Sequence, residues 1–191
     1  SLVVKPYPTV ASFTLAKNYL HGGATTTGTA TLSAPAPFND SFTFTDNSAF
    51  VSVVSPITVA QGVSSKTTNV STTNPTSVQS ATITAAYKGT TRTATLSVYP
   101  MPVIQSFELT PNPLLAGYFT LARVTLTSPA AITTELRFTE ASSYVFFPLT
   151  RTIQAGQTTN SFVVYGFQPP SDQSIPVSVA IVGNENNPTN A

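Results

Sequence analysis

Apolar and polar residues alternate in short runs along the whole chain. In the stretch around residues 25–33, Gly28, Ala30 and Leu32 fall on one side, and Thr27, Thr29 and Thr31 on the other. That two-residue period is the signature of a pleated strand with one face buried. Ala122, Val124 and Leu126 repeat the same parity in the second half. In the first half the pattern predicts strands over 10–15, 25–33, 41–46, 49–54, 56–60, 64–72, 80–87 and 91–98. Gly22-Gly23, Pro35 to Asn39, Gln61-Gly62, Asn74-Pro75 and Lys88-Gly89 punctuate them as turns. No stretch of about ten residues carries helical spacing with caps. Seven or eight short strands in about 94 residues predict a β-sandwich.

The two halves align with each other when the sequence is displaced by 94 positions. Val10-Ala-Ser-Phe-Thr-Leu15 then meets Ile104-Gln-Ser-Phe-Glu-Leu109, and Asn18, Leu20 and Gly23 meet Asn112, Leu114 and Gly117. Phe44-Thr45 meets Phe138-Thr139, Gly62 meets Gly156, and Gly89 meets Gly183, with no gap. A repeat of this length means two sandwiches in series. The expected organisation is a linker or completing strand over 1–9, a first domain over 10–99, a Pro-rich linker over 100–103, and a second domain over 104–191.

The same displacement links the two ends. Ser1-Leu-Val-Val4 and Lys5-Pro-Tyr-Pro8 match Thr95-Leu-Ser-Val98 and Tyr99-Pro-Met-Pro102. Joining Asn190-Ala191 to the Ser1 of another copy reproduces the strand that closes the first half. Three extra residues are then needed in the loop before it. The second domain is therefore expected to lack a full last strand and to receive one from the Ser1–Val4 region of a following unit. The junction residues on this reading are Leu2, Val4, Pro6, Pro8, Thr189 and Ala191. Two routes produce such a cycle. Either the units are continuous in one long polypeptide, or separate subunits donate strands to one another. The prolines fix φ and make the joints semi-rigid.

Composition adds constraints. Hydrophobic residues make up 41% of the 191 residues, and only 8% are charged, against about 25% in typical domains. The net charge is +1. Such a chain has no basic footprint for nucleic acid and little colloidal repulsion, so it is expected to associate with copies of itself. There is no cysteine, hence no disulfide framework, and no apolar run approaches the roughly 18–20 residues of a membrane span. His21 is the only histidine; it precedes Gly22-Gly23 and is expected to be an exposed loop residue. One histidine without cysteine supports neither a metal site nor a Ser-His-Asp constellation. No carboxylates show a catalytic spacing, and Asp46 and Glu140 recur at equivalent places, which points to a turn role. Asp40 with Asp46 is too sparse a ligand set for a strong Ca²⁺ site. No cofactor, metal site or catalytic residue is expected. Phe147 and Phe162 are expected in the core. Tyr144 and Phe146 are expected to point outward as an interface patch, with a sugar-stacking surface as the lesser alternative.

The runs Gly22-Gly-Ala-Thr-Thr-Thr-Gly-Thr-Ala-Thr-Leu-Ser-Ala-Pro-Ala-Pro37, Ile57-Thr-Val-Ala-Gln-Gly62, Ala81-Thr-Ile-Thr-Ala-Ala-Tyr-Lys-Gly89 and Arg92-Thr-Ala-Thr-Leu-Ser-Val98 resemble bacterial immunoglobulin-like tandem repeats of large secreted and cell-surface proteins. The resemblance covers nearly all of the first copy and, more loosely, the second. It implies an all-β fold of two tandem immunoglobulin-like β-sandwiches, an extracellular location, stalk or adhesive roles, and no catalytic residues. The expected function is a structural repeat unit of an extracellular fibre or stalk built head to tail. The alternatives are a donor-strand-complemented, pilus-like subunit and an adhesin or carbohydrate-binding segment that engages surface glycans.

Overall fold

Thr-rich alternation needs a partner layer for its apolar face, and each half of the chain supplies one. The computed structural model describes residues 4, 6–183, 189 and 190. The chain divides into two units, Ser1–Met101 and Pro102–Ala191, and each forms its own two-layer sandwich. In the first unit the strands are β1 (Val10–Leu15), β2 (Tyr19–His21), β3 (Thr25–Leu32), β4 (Asp40–Asp46), β5 (Val51–Val53), β6 (Ile57–Val59), β7 (Ser65–Thr72), β8 (Gln79–Tyr87) and β9 (Thr90–Tyr99). One sheet runs β1-β3-β7-β5 and the other β2-β9-β8-β4-β6. All pairings are antiparallel apart from β2 with β9, which is parallel. With β2 and β6 counted as additions, the first, second, fifth and fourth strands face the third, sixth and seventh. That is the order of an immunoglobulin sandwich.

The second unit contains β10 (Ile104–Thr110), β11 (Phe119–Leu126), β12 (Thr134–Glu140), β13 (Val145–Phe146), β14 (Thr150–Ile153), β15 (Thr159–Gly166), β16 (Val177–Ile181) and β17 (Thr189–Asn190). Its sheets, β10-β11-β15-β13 and β14-β12-β16-β17, repeat the order of the first. The expectation of two tandem immunoglobulin-like sandwiches therefore holds. Every strand predicted in the first half is present, within two residues at each end. One strand was not predicted: β2 is too short to show a period, and its parallel partner lies far away in sequence.

The repeat extends to local irregularities. The β1–β3 register shifts between Val10 and Ser12, and the β10–β11 register shifts between Ile104 and Ser106. A bulge of this kind bends the first strand at the same place in both units. The cores differ in chemistry. Phe13, Phe42, Phe44 and Tyr87 line the first, with ring centroids 5.5–6.0 Å apart. In the second, Phe138 packs against Phe107, Phe147 and Phe162 at 4.9–5.7 Å. Phe147 and Phe162 are buried, as expected from the alternation. Gly28 is required by Phe13: a Cβ at residue 28 would sit 2.7 Å from that ring. The second unit has Ala122 at this position, paired with Leu109.

Candidate functional site

The two sandwiches part company at one edge. In the first unit, β9 runs on to Tyr99 and buries Leu96 and Val98 completely. Burying two such side chains contributes roughly 1.5–3 kcal/mol each. Strand β2 then pairs with this stretch, Tyr19 with Ser97, Leu20 with Val98 and His21 with Tyr99. The amide of Ser97 donates to Asn18 O and that of Gly22 to Tyr99 O, both at 2.9 Å.

In the second unit, the described residues pair β17 with β16 at only two positions, Thr189 with Val179 and Asn190 with Ser178. Residues 173–176 and the counterpart of β2 lie outside any strand. A groove of about 710 Å³ occupies this region, with Leu109, Leu114, Phe147, Val164, Ile175 and Val177 among its lining residues. Leu115, the counterpart of buried His21, is 69% exposed. The groove thus presents apolar side chains where the first unit presents a closed core.

The β16–β17 register carries information of its own. In the first unit Ala85 pairs with Arg92 and Thr84 with Thr93. Displacement by 94 takes Ala85 and Thr84 to Val179 and Ser178. Displacement by 97 takes Arg92 and Thr93 to Thr189 and Asn190. The hairpin therefore has the first unit's register with three residues added to its loop, as the sequence comparison anticipated.

Of the junction residues, Leu2 and Ala191 lie outside the described residues. Thr189 is half-buried in β17. Val4 is 83% exposed, Pro6 is exposed and Pro8 half-buried. Between the two prolines, the ring of Tyr7 stands edge-on to Phe38 at 5.7 Å. The Lys88 ammonium lies 5.7 Å from both rings and 2.8 Å from the Asp40 carboxylate. Its hydrogen bond lowers the Asp40 pKa, and the same bond raises that of Lys88.

Tyr144 and Phe146 separate. Tyr144 is half-buried and lines the groove, its carbonyl accepting from Phe167 N at 2.7 Å. Phe146 is 60% exposed and belongs to an outer face that the sequence reading did not assemble. Register puts Phe146 opposite Tyr165, Tyr165 opposite Phe119, and Val163 opposite Leu121. All five are exposed. The corresponding face of the first unit carries Ser52, Ser71, Thr25, Asn69 and Thr27 in the same register. Comparing outward positions between the two copies would have found the patch.

The remaining candidates are structural. His21 is buried, not exposed, and its Nδ1 donates to Pro100 O at 3.0 Å. The expectation of a loop histidine fails because β2 pairs with the end of β9 and sets His21 beside Tyr99. Burial pushes its pKa down, against the raising effect of hydrogen bonds to the Pro100 and Tyr99 carbonyls. Asp46 accepts from Ser48 N at 3.1 Å and Glu140 from Ser142 N at 2.6 Å. Ser48 and Ser142 then accept from Phe50 N and Tyr144 N. Both acids thus hold the same turn in their units, the turn role expected of them. Among the described residues, no group of three His, Cys, Asp or Glu side chains is placed to hold a metal ion.

Among the described residues, no helix is long and apolar enough to cross a membrane. No family model matches the chain, and neither does any curated protein. Solved structures do resemble it. The D0-D1 domain of Intimin is 15% identical, with 89% of this chain and 90% of that one covered and a TM-score of 0.38. The D00-D0 domain of Intimin is 9% identical, with 94% and 96% covered and a TM-score of 0.38. Domains 4 and 5 of the S-layer protein SbsC are 17% identical, with 96% of each chain covered and a TM-score of 0.34.

Proposed function

We propose that this chain is a non-catalytic structural repeat unit of an extracellular fibre or stalk, built head to tail from immunoglobulin-like sandwiches. The observation that carries the reading is the cyclic match: Ser1–Pro8 repeats the strand and linker, Thr95–Pro102, that joins the two units inside the chain. The β16–β17 register supports it, because it starts the last strand of the second unit in the phase that Ser1–Val4 would continue. Sparse charge favours assembly over solvated independence. The fibre is mechanical: closed sandwiches in series, joined by linkers too short to coil. We favour covalent continuity between units over strand exchange between subunits, because the strand is shared between both partners at the junction. The mass of denatured native material tests this reading. Giant chains are expected. Subunits near the 20.0 kDa of this sequence that assemble end to end would replace continuity with strand donation. Discrete monomers of that mass would overturn the fibre.

The outer aromatic face favours a second reading, an adhesive segment. Its rings are not a flat platform: Phe119 and Tyr165 meet at 65°, with centroids 6.4 Å apart. An apolar protein surface fits that relief better than the plane of a sugar ring, so surface glycans are the weaker partner.

A further inference from the structure

We infer that the groove of the second unit is a strand-acceptor site whose occupant is the Ser1–Val4 segment of a second copy. The inference rests on the head-to-tail reading and specifies its joint residue by residue. In the first unit, Ala81 pairs with Leu96 and Gln79 with Val98. The same register places Leu2 of the second copy opposite Ile175 and its Val4 opposite Gln173. Leu96 and Val98 are fully buried, whereas Thr95 is exposed and Ser97 half-buried. Leu2 and Val4 therefore enter the groove, and Ser1 and Val3 face out. Val4 is 83% exposed, whereas its counterpart Val98 is fully buried, so docking in the groove would bury it.

Pro176 is the obvious objection, since proline has no amide to give a strand ladder. Its counterpart Thr82 answers it. The Thr82 amide donates to Asn47 Oδ1 at 2.8 Å, away from β9. A strand on the β9 side makes no use of that amide. The second unit has lost the donor and the acceptor together, with Pro176 for Thr82 and Ala141 for Asn47. Pro113 raises the same objection on the other flank and meets the same answer. The parallel β2–β9 bonds use Ser97 N with Asn18 O and Gly22 N with Tyr99 O. Their counterparts are Val3 N with Asn112 O and Ala116 N with Lys5 O, so the Tyr19 position need not donate. The segment 113–115 gains a partner on docking and becomes the missing counterpart of β2.

The test appends Ser-Leu-Val-Val-Lys-Pro-Tyr-Pro to Ala191 of the full chain, which gives the segment a high local concentration. A control carries Leu2→Asp and Val4→Asp in the appended copy only. The native extension should raise the melting temperature of the second unit and slow amide exchange at 114–116 and 173–175 at least tenfold. The control should leave both at the level of the unextended chain. Equal behaviour of the two extensions, or protection unchanged by either, overturns the inference. Failure here with giant or end-to-end chains in the native material leaves the fibre standing without this joint. Success with discrete native monomers does the opposite.

Discussion

One face of one sheet occurs twice in this molecule, with opposite chemistry. Thr25, Thr27, Ser52, Asn69 and Ser71 cover it in the first unit; Phe119, Leu121, Phe146, Val163 and Tyr165 cover it in the second. The strands beneath keep the same order and the same bulge. The sandwich therefore depends on its inward half, and its outward half is free to change. Where change turns hydroxyls into rings, the fold gives no reason for it. An exposed apolar face costs solubility, so it points to something outside the unit. The groove makes the complementary case. There the inward half itself differs, and Leu114 and Leu115 stand where Leu20 and His21 are buried.

The largest effect should come from the closed edge. Leu96→Ala is expected to destabilise the first unit by about 2–5 kcal/mol, read from its transition in denaturant. The matching change, Leu2→Ala, should leave both transitions of the isolated chain in place. A loss below about 1 kcal/mol for Leu96→Ala would break the claim that this edge of the first unit is core-forming.

A smaller stability effect is expected on the aromatic face. Giving the second unit the first unit's residues, by Phe119→Thr, Phe146→Ser and Tyr165→Ser, should change its stability by no more than about 1 kcal/mol in all. Apolar-dye binding, concentration-dependent association and retention on cell surfaces or glycans should fall. A large loss of stability with association untouched would make the face structural and remove the adhesive reading.

The subtlest contrast is a pH slope. His21 has its pKa lowered in the folded first unit, so the unfolded chain binds more protons than the native one below the usual histidine range near 6.5. Stability of the first unit is then full above that range and declines as pH falls through it towards the lowered folded value. Leu115 holds this place in the second unit, which should lack the slope. His21→Gln should flatten the decline in the first unit; an unchanged decline would assign it to the carboxylates.

Much of this was legible in the residues. Alternation located the strands of the first unit because a sheet with one wet face must alternate. The repeat located the second unit, and the loop offset of three residues anticipated the β16–β17 register. The aromatic face was only half seen: Tyr144 and Phe146 are near in sequence, but Phe119, Leu121, Val163 and Tyr165 join Phe146 through pairing. Tyr144 lines the groove instead of joining them. The burial of His21 was hidden for a related reason, since its neighbours Tyr99 and Pro100 lie far along the chain.

The sequence by itself determined the strand class, the two copies, the inward faces and the cyclic match between the ends. Those are properties of period and identity, which a linear chain displays directly. Tertiary structure decided which edge closes, where the groove opens, which rings share a face and whether His21 meets water. Those depend on contacts between residues distant in sequence, and only folded backbone pairing brings them together.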